Sequence, residues 1–117
     1  MDYSFKIINS SAGSGKTFNL AIEYICRLLR SKDDEHFKAM LALTFTNKAS
    51  VEMKDRILFY LSDLKHQRNK IIQEIISNKT GLDQLTIKKK SSNTLEKILY
   101  NYTYFNVITL DRFTINV

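Results

Sequence analysis

Ser11-Ala12-Gly13-Ser14-Gly15-Lys16-Thr17 carries residue types at spacings that can hold a nucleoside triphosphate by its phosphates. Gly13 and Gly15 let the backbone approach an anion with no Cβ in the way. Loop amides and the first N–H groups of a following helix would point at the phosphates, and the helix dipole favours their charge. Lys16 is placed to reach the β- and γ-phosphates, and the Thr17 hydroxyl to ligate Mg²⁺. The match is to the second half of G-x-x-x-x-G-K-[ST], because Ser10 stands where that pattern has its leading glycine. Ser10 to Thr17 are therefore the candidate nucleotide site.

A phosphate loop needs a strand before it and a helix after it. Residues 4–8 read as that strand. From Thr17 to about Arg30 a helix follows, with Phe18, Ala21, Ile22, Ile25, Leu28 and Leu29 at helical spacings. Ala39–Phe45 is a short apolar run expected to be a strand covered on both faces. Thr46 or Asn47 then caps a second helix, whose stripe is Ala49, Met53, Ile57, Leu61 and Leu64.

From about 63 to 104 a helical insertion is expected, with Gly81 as a break or C-cap. Lys88-Lys89-Lys90-Ser91-Ser92 reads as an exposed turn, and Leu95, Ile98, Leu99 and Tyr102 mark a further amphipathic helix. Tyr100, Tyr102, Tyr104 and Phe105 read as packing residues. Phe105–Leu110 resembles a third strand, with Asp111-Arg112-Phe113 beyond it. The alternation predicts an α/β chain with a parallel sheet of about three strands. Its core is expected at Ile7, Leu41, Leu43, Val107 and Ile108. Ligands in such sheets bind beyond the carboxyl ends of the strands. Ser11–Thr17, Phe45–Lys48 and Thr109–Phe113 all fall there.

The chain has 117 residues, 44% of them hydrophobic and 26% charged, consistent with one soluble globular unit. No run reaches the ~18 apolar residues of a membrane span and no signal-peptide pattern opens the chain, so a cytoplasmic location is expected. Cys26 is the only cysteine, which excludes an intrachain disulfide and a cysteine-cluster metal site. The net charge of +6 suits a polyanionic partner. His36 and His66 have no partners at metal-ligand spacing, and Asp33-Asp34-Glu35 and Asp63 lack a catalytic setting.

Three stretches together resemble the N-terminal portion of the UvrD/RecB/AddA-like superfamily 1 DNA helicases. They are Ser11–Thr17, Leu43-Thr44-Phe45-Thr46-Asn47-Lys48-Ala49-Ser50 with Glu52-Met53-Lys54, and Val107-Ile108-Thr109-Leu110-Asp111-Arg112-Phe113. The resemblance spans residues 1–117 and implies a partial RecA-like, P-loop ATP-binding domain with flanking helices and the insertion at about 63–104. It implies ATP-driven 3′→5′ translocation on single-stranded DNA in recombination and repair. Its implied cofactors are ATP and Mg²⁺, and its implied protein partner is a nuclease/helicase subunit. Thr44, Phe45, Thr46, Asn47, Thr109 and Asp111 would then touch the DNA strand. The physical case agrees: an aromatic at a strand tip stacks on any base, and hydroxyls, an amide and helix N-terminal amides suit phosphates.

This chain departs from the family pattern at Ser10, where alanine is usual, and at Arg112, where serine is usual. No upstream glutamine motif and no Walker B acidic pair after Phe113 are present. Apart from Lys16, no catalytic residue is identified. A fragment truncated before Walker B is expected to bind nucleotide weakly and not to sustain turnover, which a steady-state phosphate-release assay checks. The alternative is a catalytically inactive nucleotide- or nucleic-acid-binding remnant.

Overall fold

A computed structural model describes residues 5–7, 14–44 and 46–109. Helix α1 (Ser14–Arg30) follows strand β1 (Phe5–Ile7), and strand β2 (Leu41–Thr44) leads into helix α2 (Asn47–His66). Helices α3 (Lys70–Thr80) and α4 (Gln84–Tyr100) come next, and strand β3 (Val107–Thr109) closes the order.

The expected fold class, an α/β chain organised as a partial RecA-like parallel sheet, is corrected. The described residues are predominantly helical, with α-helices of 17, 20, 11 and 17 residues against strands of 3, 4 and 3. The physical reason lies in the core. Its members come chiefly from helical stripes: Ile22, Ile25 and Leu29 of α1, Met53, Ile57, Leu61 and Leu64 of α2, Ile76 of α3, and Ile87 and Ile98 of α4. The strands form a short ribbon of order β1-β2-β3, pairing in parallel with Ile7 opposite Leu43 and Leu43 opposite Ile108. Of the five expected sheet-core residues, Val107 is buried as expected. The side chains of Ile7, Leu41, Leu43 and Ile108 lie outside the described ones.

The lysine-rich stretch is also corrected. Lys88 to Ser92 is not a turn but the middle of α4. Lysine is a good helix former, and Ile87, Ser91, Thr94 and Ile98 recur at helical spacing on the buried side. Of the residues expected to pack, Phe105 is buried and Tyr102 meets it edge to face with ring centroids 5.9 Å apart, but Tyr100, Tyr102 and Tyr104 remain exposed, and Leu99 with them. The reason is the chain's turn at Asn101 into a 3₁₀ turn (Tyr102–Tyr104), which takes Tyr102 off the helical face it would share with Leu99. Phe37, inside a second 3₁₀ turn (His36–Ala39), is fully buried.

Each helix boundary has a local cause. Gly81 ends α3 in the left-handed region at φ 76°, its N–H donating to the Ser77 carbonyl at 2.8 Å. Asn69 and Asp83 cap α3 and α4 by accepting from the N–H groups of Ile72 and Thr86. The hydrogen bonds from Thr86 hold the Asp83 carboxyl below the ordinary carboxylate range. A depressed value means that this capping contribution is present at neutral pH and is lost as pH falls through the folded-state value. Carboxyl ¹³C titration by NMR is expected to give Asp83 a midpoint below that of a model aspartate. An ordinary midpoint would refute the cap.

Candidate nucleotide and nucleic-acid site

Because the three strands are parallel and in register, their carboxyl ends share one edge. Helix α1 begins beyond the end of β1, and α2 begins just beyond the end of β2. The N-terminus of α2 and the tip of β3 therefore share that edge. Ser14, Gly15, Lys16 and Thr17 form the first turn of α1. No acidic residue occupies that turn, which suits an anion. Ser10, Ser11, Ala12, Gly13, Phe45 and Asp111 lie outside the described residues. So do Arg112 and Phe113.

The β2–α2 turn is braced from within. The Thr44 hydroxyl, in a residue only 1% exposed, donates to the Thr46 carbonyl at 3.2 Å. The Thr46 hydroxyl caps α2 by accepting from the Ala49 N–H at 2.9 Å. Thr46 and Asn47 themselves are exposed, while Thr17 is buried. Thr109 is the last residue of β3 and lies beside Thr44.

Three further contacts tie α2 to its neighbours. The Ser50 hydroxyl, one turn into α2, donates to the Val107 carbonyl at 2.7 Å in a buried setting. Phe18 of α1 meets Tyr60 of α2 edge to face, with ring centroids 5.9 Å apart. The Lys54 ammonium lies 5.1 Å from the Tyr102 ring centroid and 6.0 Å from that of Phe105. Sequence reasoning gives Ser50 and Lys54 no such part. The signal for Ser50 is a small hydroxyl inside an apolar helix stripe, where a backbone acceptor is the partner at hand. Ser50→Ala leaves the Val107 carbonyl short of a partner and is expected to cost about 1–3 kcal/mol, read by urea unfolding.

Burial acts on two groups of α1. It pushes the Tyr24 phenol well above its usual value, and the Tyr24 ring packs edge to face on Phe105 at 6.0 Å. It also raises the Cys26 thiol, more than the nearby Arg30 and Lys79 charges lower it. Cys26 is thus a core thiol rather than a nucleophile.

Among the described residues no group of three or more His, Cys, Asp or Glu side chains could hold a metal ion. Thr17 offers a single oxygen. This donor set fits Mg²⁺ carried in by a nucleotide and not an ion held by protein alone. Among the described residues no helix is long and apolar enough to cross a membrane.

The comparisons with known proteins identify a family. The UvrD/REP helicase N-terminal domain family matches residues 4–115. The RecBCD enzyme subunit RecB of Chlamydia muridarum is 32% identical, over 92% of this chain and 11% of that protein. An ATP-dependent helicase/nuclease subunit of Clostridium novyi is 32% identical, over 86% of this chain and 8% of that protein. The RecB subunit of Buchnera aphidicola is 27% identical, over 92% of this chain and 10% of that protein. The chain thus spans about a tenth of the length of these relatives. No solved structure matches it. With the family matched over nearly its whole length, the chain belongs to the UvrD/REP helicase N-terminal domain family.

Proposed function

We propose that the chain is the ATP-binding, single-stranded-DNA-contacting part of an ATP-dependent 3′→5′ DNA helicase of recombination and repair. The observation that supports this reading is the parallel register of the strands: the α2 N-terminus and the β3 tip share their carboxyl edge, and α1 follows β1 in the chain. Ser10 to Thr17 wrap the triphosphate. The first-turn amides of α1 bind its oxygens, and Lys16 neutralises the β- and γ-phosphates. Mg²⁺, when bound, shields the phosphate charge, and Thr17 holds it from the protein side.

Thr46 and Asn47 offer a hydroxyl, an amide and the α2 N-terminus to the DNA backbone, with Phe45 supplying a face for a base. Thr44 holds the turn in shape through its bond to Thr46. Thr109 and Asp111 extend the contact along the same edge. Such contacts ignore base identity, as a translocating motor requires. The helicase/nuclease name of the Clostridium novyi relative supports a companion nuclease activity in the whole protein or in a partner.

Titration of the chain with single-stranded oligonucleotide at two salt concentrations tests the strand contact. Affinity is expected to fall as salt rises. Phe45→Ala is expected to weaken it by the roughly 1–3 kcal/mol of one base stack. A salt-independent affinity, or an unchanged Phe45→Ala variant, would overturn the reading.

A further inference from the structure

The far end of the helical body carries a second site with different chemistry. Helix α2 spans about 30 Å, so its last residues stand a full helix length from the strand tips. There Lys65 and His66 of α2 face Leu85, Lys88, Lys89, Ser92 and Asn93 of α4 across a cleft of about 540 Å³. Among the described residues no carboxylate lines it and none of its three lysines has an acidic partner.

The neighbouring charges are already engaged. Lys90 donates to the Ser31 carbonyl at 2.8 Å, Arg68 pairs with buried Asp63 at 3.1 Å, and Asp83 is committed to capping α4. The walls are also firmly held. Gln67 closes α2 in the left-handed region at φ 55°, and the Arg68 N–H donates to the Asp63 carbonyl at 2.9 Å. Leu85 is 73% exposed among these cations. An apolar side chain left in water inside a ring of unpaired ammonium groups calls for a ligand that is both acidic and apolar.

We propose that this cleft docks an acidic amphipathic segment of a partner protein. One apolar side chain of that segment covers Leu85 and the lysine stems, and its carboxylates pair with Lys65, Lys88 and Lys89. Ser92 and Asn93 supply neutral donors to the same carboxylates or to the segment's backbone. A nucleic acid would use the cations but leave Leu85 idle, and among the described residues no phenylalanine, tyrosine or tryptophan ring lines the cleft for a base to stack on.

The test is fluorescence anisotropy of the whole chain with a labelled glutamate-rich peptide of about four helical turns, carrying leucine at every third or fourth position. A labelled duplex oligonucleotide is titrated in parallel. Lys88→Gln/Lys89→Gln and Leu85→Ala are each expected to weaken peptide binding roughly tenfold. Both change only surface positions and are checked for unchanged helicity by circular dichroism. Lys16→Ala is expected to bind the peptide like the parent, which separates this site from the nucleotide site. No binding, undiminished binding by Leu85→Ala, or loss of duplex rather than peptide affinity in the double variant would each overturn the proposal.

Discussion

Lys16→Ala is expected to lower the chain's affinity for a fluorescent ATP analogue by about ten- to a hundredfold. Lys16 lies in the first turn of α1, which holds no acidic side chain. A charge-assisted bond to phosphate is worth roughly 1.5–3 kcal/mol, which sets that range. The amides remain in the variant, so residual weak binding is part of the expectation. Circular dichroism should be unchanged, because a first-turn alanine keeps the helix. Equal affinity of the two chains would remove the nucleotide site from this edge. Loss of affinity together with loss of helicity would instead mark Lys16 as a folding residue.

The largest effect on stability is expected from Leu61→Ala. Leu61 is fully buried on α2, the helix that packs against α1, α3 and α4 alike. Truncation removes its transfer free energy and leaves a cavity that neighbours on several helices cannot all close. Such changes cost about 2–5 kcal/mol, against the roughly 5–15 kcal/mol that holds a typical domain together. In a chain of this size that corresponds to a fall in Tm of about 10 °C or more. Phe59→Ala, two residues earlier and 60% exposed, is expected to change stability by less than about 1 kcal/mol. Paired thermal melts read both. A small Leu61 effect would mean that α2 is not the centre of the core.

The two predictions address different parts of one helical body, and the structure explains why they can be separated. The strand tips carry the motif residues, whereas the core that supports them lies among the helices. Helix α2 joins the two parts: its Ser50 hydroxyl bonds the Val107 carbonyl of β3, and its Tyr60 meets Phe18 of α1.

Much is legible from residue order alone, because local patterns have local causes. The stripes of α1 and α2 follow from 3.6-residue periodicity. The Thr46 cap follows from a hydroxyl three residues before an N–H that needs an acceptor, and the Gly81 cap from tolerance of positive φ. The three motifs suffice to point to the family. What residue order does not supply are the balances set by packing. The weight of helix over strand is one of them, because short apolar runs such as Ala39–Phe45 resemble covered strands whether or not a broad sheet surrounds them. Lys88–Ser92 resembles a turn because its charge hides the Ile87, Ser91, Thr94 and Ile98 stripe, which is recognisable only against α2. The joining of Ser50 to Val107 and of Lys54 to Tyr102, and the cleft around Leu85, link residues far apart in the chain. Only the tertiary structure brings them together, since long-range contacts depend on how helices dock and not on any one helix's pattern.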